Sequence, residues 1–214
     1  VKRPAARPGQ DGSKRDLNRK ERARTLCEAA LRLFLASGIE AVTIDEITRA
    51  AGIAKGSFYR YFDDKSALVE AILAPLERSV RTVMAHALDA LSRARTEAEL
   101  QEAYGALGRE LTSELLPHAD LVRLYLLECR APPLGARAPV RRFADDVARR
   151  AVDLTRAAHT HGLLRDLPPN VTALAVVGAV EALLFRFFEG TDLGSPIDAM
   201  EALVSMVLHG VERG

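Results

Sequence analysis

The residues best suited to act together lie in one short stretch. Lys55, Ser57, Tyr59, Arg60, Tyr61 and Lys65 place three cations, a hydroxyl and two phenols within eleven positions. Phe58 and Phe62 are four apart and share one helical face, so burying them turns the other side chains outward. A tyrosine offers an apolar body with a phenolic tip suited to a phosphate. Arg60 can bond guanine bidentately or hold a phosphate. Lys55 and Lys65 sit at expected helix N-termini, where backbone N–H groups already favour anions. Gly56 lets the backbone come close to a ligand. The chemistry implied is recognition of a polyanion.

Other chemistry finds little support. His86, His118, His159, His161 and His209 are scattered, and the one close pair is two apart, off a common helical face. No Gly-rich phosphate loop, nucleophile motif or paired-carboxylate motif is present. Catalytic, metal and cofactor sites are expected to be absent. Cys27 and Cys129 form no CxxC, so each reads as a small buried hydrophobe.

The outward-facing set needs a scaffold. Thr43 and Glu46 have capping-box spacing and open a short helix lined by Ile44, Ile47 and Ala51. Gly52 closes it, Ile53 and Ala54 make a tight turn, and a third helix is expected from about Lys55 to Tyr61. Before them, Asn18 and Glu21 suggest the start of a helix that Gly38 ends. Two short helices about a Gly-containing turn are a helix-turn-helix, whose second helix enters the major groove.

Downstream, helical periods and breakers predict helices over 65–95, with Pro75 as a kink, then 97–116, 119–131, 139–161, 170–189 and 196–212. No segment alternates with period two. The expected fold is all-α. It divides into a disordered basic arm (1–17), a helix-turn-helix domain (18–66) and a helical domain (67–214). The 214 residues carry a net charge of only +1, but the charge is unevenly placed. Residues 1–66 hold 14 Lys and Arg against 9 Asp and Glu, and the first 24 alone hold nine bases against three acids. Such an arm suits phosphate. The first residues contain no apolar leader. Val171–Phe188 is broken by Glu181 and Arg186 and reads as too short and charged for a membrane span. A cytoplasmic protein with no membrane partner is expected.

The stretch TIDEITRAAGIAKGSFYRYFDDKSAL, Thr43 to Leu68, closely resembles the DNA-binding signature of the tetracycline-repressor (TetR) family. Thr43, Ala51-Gly52, Gly56-Ser57, Tyr59, Phe62 and Lys65 match position by position. Ala54 departs from the usual capping Ser or Thr, and Thr48 from the usual Ala. The resemblance implies that Thr43, Tyr59, Tyr61 and Lys65 hold phosphates; Lys55, Ser57 and Arg60 are the candidates nearest the base edges, with Gly56 allowing close backbone approach. It also implies a homodimer on a pseudo-palindromic operator, paired through the last two helices. Leu174, Val177, Gly178, Glu181, Leu184, Met200, Leu203 and Val207 are the candidate interface. The family's second domain encloses an apolar pocket for a small molecule, for which Tyr104, Arg123, Tyr125, Glu128, Phe143 and Phe185 are candidate liners. The expected function is a repressor released by that ligand, with activation as an open variant. The alternative is a ligand-binding or interaction module with a vestigial DNA-binding head.

Overall fold

A computed structural model describes residues 14–164 and 167–211. Its elements are α1 (Lys14–Ser37), α2 (Ile44–Ala50), α3 (Lys55–Phe58), α4 (Lys65–Arg93), α5 (Glu97–Leu115), α6 (Ala119–Glu128), α7 (Ala138–His159), α8 (Pro169–Phe188) and α9 (Pro196–Val211). Short 3-10 turns precede α6 and α7. The described residues contain no extended strand, so the fold is all-α.

The head comprises α1 to α3 and the start of α4. Leu26, Ala30, Phe34, Ile47, Phe58, Leu68 and Val69 are buried together there. Burying a large apolar side chain contributes about 1.5–3 kcal/mol, so this cluster fixes how the three short elements meet. Gly38 ends α1 at φ 81°, a left-handed conformation that suits glycine. In one respect α1 differs from expectation. It starts at Lys14, and Asn18 lies inside it. The run from Lys14 to Leu17 lacks Pro and Gly, so nothing stops the helix from extending, and Glu21 pairs with Arg24 within the helix. The rest of the expected arm, residues 1–13, lies outside the described residues.

The expected boundary at 66/67 falls just inside α4, which runs unbroken from head to body. Its first turns pack in the head, and its later residues Val80, Met84, Ala87 and Leu91 pack in the body, chiefly against α7 and α5. Pro75 lies within this helix. Proline lacks an N–H, and the carbonyl four residues back belongs to Ala71, which is exposed. In the body, α8 packs on α7, and α9 packs on α5 and α8. Gly108 permits the α5–α9 approach: a Cβ there would lie 2.7 Å from Met200 Cγ.

Pro169 occupies the first turn of α8, where a missing N–H costs nothing. The resulting 20-residue helix has a mean hydropathy of 1.9 over its apolar window. By length and composition it is long and apolar enough to cross a bilayer, contrary to the expectation above. One face of α8 packs on α7 and α9, and the other is exposed.

Candidate nucleic-acid interface and body cavity

The entry to α2 is built as the sequence implied. Thr43 Oγ1 accepts the Glu46 amide at 3.3 Å, and Glu46 Oε2 accepts both the Thr43 amide (2.8 Å) and hydroxyl (2.7 Å). These bonds, the backbone one foremost, hold the Glu46 carboxyl below its ordinary pKa. Thr48 is buried and its hydroxyl donates to the Asp45 carbonyl at 3.1 Å, which satisfies the polar group where the family usually has Ala. Gly52 turns the chain at φ 65°, and the Ile53 amide donates to the Thr48 carbonyl at 2.9 Å.

At the start of α3, Ala54 makes no side-chain cap, so the first α3 amides stay available. Regular α3 ends at Phe58, three residues earlier than expected. Beyond it, the Arg60 amide donates to the Ser57 carbonyl (3.1 Å) and the Tyr61 amide to the Phe58 carbonyl (2.8 Å), the tighter three-residue bonding of a 3-10 turn. Phe58 is fully buried, with Tyr59 edge-on at 5.4 Å and Phe62 at 5.7 Å. This anchor leaves Tyr59 48% exposed, with Arg60, Lys55 and Gly56 exposed beside it. Arg60 Nη2 donates to Ser57 Oγ at 2.7 Å, which orients the guanidinium. Lys55 Nζ lies 2.8 Å from Asp45 Oδ2, and that hydrogen-bonded pairing raises its pKa.

Two of the expected phosphate holders are placed differently. Tyr61 is half-buried against the head core, since the 3-10 turn rotates it inward. Lys65 points into the molecule. Its ammonium donates to the carbonyls of Ile39 (2.8 Å), Glu40 (3.2 Å) and Val42 (2.8 Å), so all three donors are engaged. It clamps the α1–α2 loop.

The same loop is held from the body. Glu128, on α6, is 5% exposed. Its Oε1 accepts the Ile39 amide at 2.8 Å, and its Oε2 pairs with the Arg137 guanidinium. Glu40 in turn accepts the Arg137 amide at 3.2 Å. The loop is therefore fixed between Lys65 and the Glu128–Arg137 pair. Sequence reasoning missed Glu40 and Arg137, because charges this far apart along the chain leave no periodic signal.

The body encloses an apolar cavity of about 170 Å3 among α4, α5, α6, α7, α8 and α9. Tyr104, Tyr125 and Phe143 line it. The other three candidate liners do not. Arg123 is half-exposed and lies 3.9 Å from Asp120, Glu128 is turned to Ile39 and Arg137, and Phe185 faces outward.

The candidate dimer residues divide by face. Val177, Glu181, Leu184 and Val207 line the cavity, Met200 lies against Gly108, and Leu203 is buried. Only Leu174 and Gly178 lie on the outward side, where a Cβ on Gly178 would meet nothing within 4 Å. The exposed apolar stripe of α8 is Val171, Leu174, Ala175, Ala182 and Phe185, with half-buried Gly178 between them and Met206 exposed on α9. An all-apolar helix has no polar face from which its register can be read.

Among the described residues no group of three or more His, Cys, Asp or Glu could hold a metal ion.

A buried phenylalanine beneath exposed tyrosine and arginine, on a tripod joined to a helical body, defines a helix-turn-helix protein. The tetR family of bacterial regulatory proteins matches residues 26–72. The chain is 39% identical over 79 residues to the HTH-type transcriptional regulator BetI of Cronobacter sakazakii, covering 37% of this chain and 39% of that one. It is 36% identical over 104 residues to the HTH-type transcriptional repressor KstR2 of Rhodococcus jostii, covering 47% and 48%. Each match spans less than half of the relative's length. The fold resembles that of the transcriptional regulator FadR from Bacillus subtilis, solved in complex with stearoyl-CoA, with a TM-score of 0.66 at 14% identity over 88% of this chain and 99% of that one. Residues 26–72 thus resemble the tetR family of bacterial regulatory proteins, and the remainder of the chain shares its fold.

Proposed function

We propose that the chain is a sequence-specific DNA-binding transcriptional regulator in the cytoplasm, a homodimeric repressor that a small molecule releases from a pseudo-palindromic operator, and not an enzyme. The observation that carries this reading is the exposed Tyr59–Arg60 surface, anchored from behind by Phe58, inside the segment that matches the family. In this reading Tyr59 holds a phosphate, Thr43 does so once its hydroxyl turns from Glu46, and Lys55, Ser57 and Arg60 lie nearest the bases. Phosphate contacts set affinity and register, and base contacts set sequence preference.

The exposed apolar face of α8 supports pairing with a second copy, because one buried patch is self-complementary about a two-fold axis. Two heads one helical turn apart then read a two-fold site. The cavity supports control by a small molecule. Tyr125 lines that cavity from α6, and Glu128, three residues on, holds the head loop. A ligand that favours one α6 position thereby biases the heads, provided it binds the two states unequally. In-vitro selection of duplex DNA by the full chain tests the reading. A two-fold site bound with a steep salt dependence supports it, and selection of no common sequence refutes it.

A further inference from the structure

We propose that the body cavity takes a small lipophile with a cationic amine head, and that Glu181 receives that head. The inference rests on the reading of the body as a ligand-binding domain. A dry cavity of about 150 Å3 accepts benzene, and the volume here is about 170 Å3. An occupant of roughly ten heavy atoms is therefore the right scale. Leu76, Val80, Leu107, Val147, Leu154 and Val176 make its walls apolar. A second apolar pocket shares Leu115, Val180 and Leu184 with it and gives a tail room to extend.

The polar groups select the head. Among the described residues, Glu181 is the sole acid lining the cavity and no Lys or Arg lines it. Glu181 Oε1 accepts the Tyr125 hydroxyl at 2.6 Å, and Oε2 accepts Arg130 Nη2 at 3.2 Å. The Arg130 side chain is 71% exposed against 16% for Glu181. Its pairing is thus that of a solvated cation at the rim, which holds weakly. An ammonium inside the cavity meets the same carboxylate where water is scarcer and the attraction is stronger. A carboxylate head would lie beside Glu181 with no lysine or arginine among the described wall residues to pair with it, a costly buried charge. The Tyr104 hydroxyl and the His159 ring also line the cavity, and neither has a hydrogen-bond partner among the described residues. Burial pushes the Tyr104 phenol up to about 12, so it offers the ligand a neutral hydrogen bond.

The test is calorimetric titration of the full chain with octylamine, octanol and octanoate at one pH. Octylamine is expected to bind at least tenfold tighter than octanoate. Glu181→Gln is expected to shrink that ratio below about threefold through loss of amine affinity, with octanol changed less than about twofold. Tyr125→Phe and His159→Gln keep the carboxylate and are expected to keep the preference, so the inference remains testable if Glu181→Gln fails to fold. Octanoate binding as tightly as octylamine, or a preference that follows His159 rather than Glu181, overturns it. Octylamine that binds through Glu181 without displacing operator DNA supports this inference and contradicts release by ligand.

Discussion

The Glu128 carboxylate accepts the Ile39 amide at 2.8 Å, and this one bond joins α6 of the body to the loop that leads into α2 of the head. The carboxylate is buried, and its other oxygen pairs with Arg137. Gly38 completes the arrangement, since a Cβ there would lie 3.2 Å from Glu128 Oε1.

Breaking a buried ion pair by removing one partner costs about 3–5 kcal/mol. Glu128→Ala is expected to lie near the low end, about 3 kcal/mol, because the Arg137 side chain is 26% exposed and can rehydrate. Glu128→Gln should cost less, since its amide oxygen can still accept from Ile39. Urea unfolding measures both. Equal stability of the alanine variant and wild type contradicts the assignment.

Lys65 distinguishes a structural clamp from a phosphate ligand. Lys65→Met removes three charge-assisted bonds to the loop carbonyls and is expected to destabilise the chain by about 2 kcal/mol. If Lys65 acts only as a clamp, the variant weakens DNA binding with an unchanged slope of log K against log salt. A slope reduced by about one marks a lost phosphate contact instead.

The outward face of α8 and the inward face of α9 predict opposite phenotypes. Leu174→Glu on the outward stripe is expected to give a folded monomer by sedimentation velocity, with weakened operator binding. Leu203→Ala on the inward side of α9 is expected to keep the dimer and lose about 2–5 kcal/mol of stability. A dimer that survives charge at Leu174 contradicts the outward-face assignment.

Burial pushes the Cys27 and Cys129 thiols up to about 11 from the ordinary 9.0. Thiolate, the reactive form, is present only as pH approaches the thiol pKa. At pH 8 both cysteines should therefore react with a thiol reagent about 100-fold more slowly than a free thiol, and unfolding in urea should restore the rate. Rapid labelling of the native chain contradicts this.

The helices were legible where the chain punctuates itself. Thr43, Gly52, Pro169 and Pro196 mark starts and stops with local chemistry, and the elements follow them closely. The face of a uniformly apolar helix was not legible. Val177 and Leu184 looked as fit for a partner as Leu174, and only packing against α7 and α9 decides which side is free. The roles of Lys65 and Glu128 were hidden for a different reason. Their partners lie 23 to 26 and 89 residues away, and backbone carbonyls and amides carry no residue signature. Tyr61 was misplaced because a 3-10 turn follows α3 and shifts its angle about the axis.

DNA reading by the Tyr59–Arg60 surface is what the proposed function requires above all. The most direct measurement is the affinity of wild type, Tyr59→Ala and Arg60→Ala for a selected operator and for base-substituted copies of it. Tyr59→Ala should weaken binding to every copy alike, and Arg60→Ala should cost roughly 1–3 kcal/mol and relax preference at one guanine. Affinities unchanged in both variants, with fold intact, contradict the account.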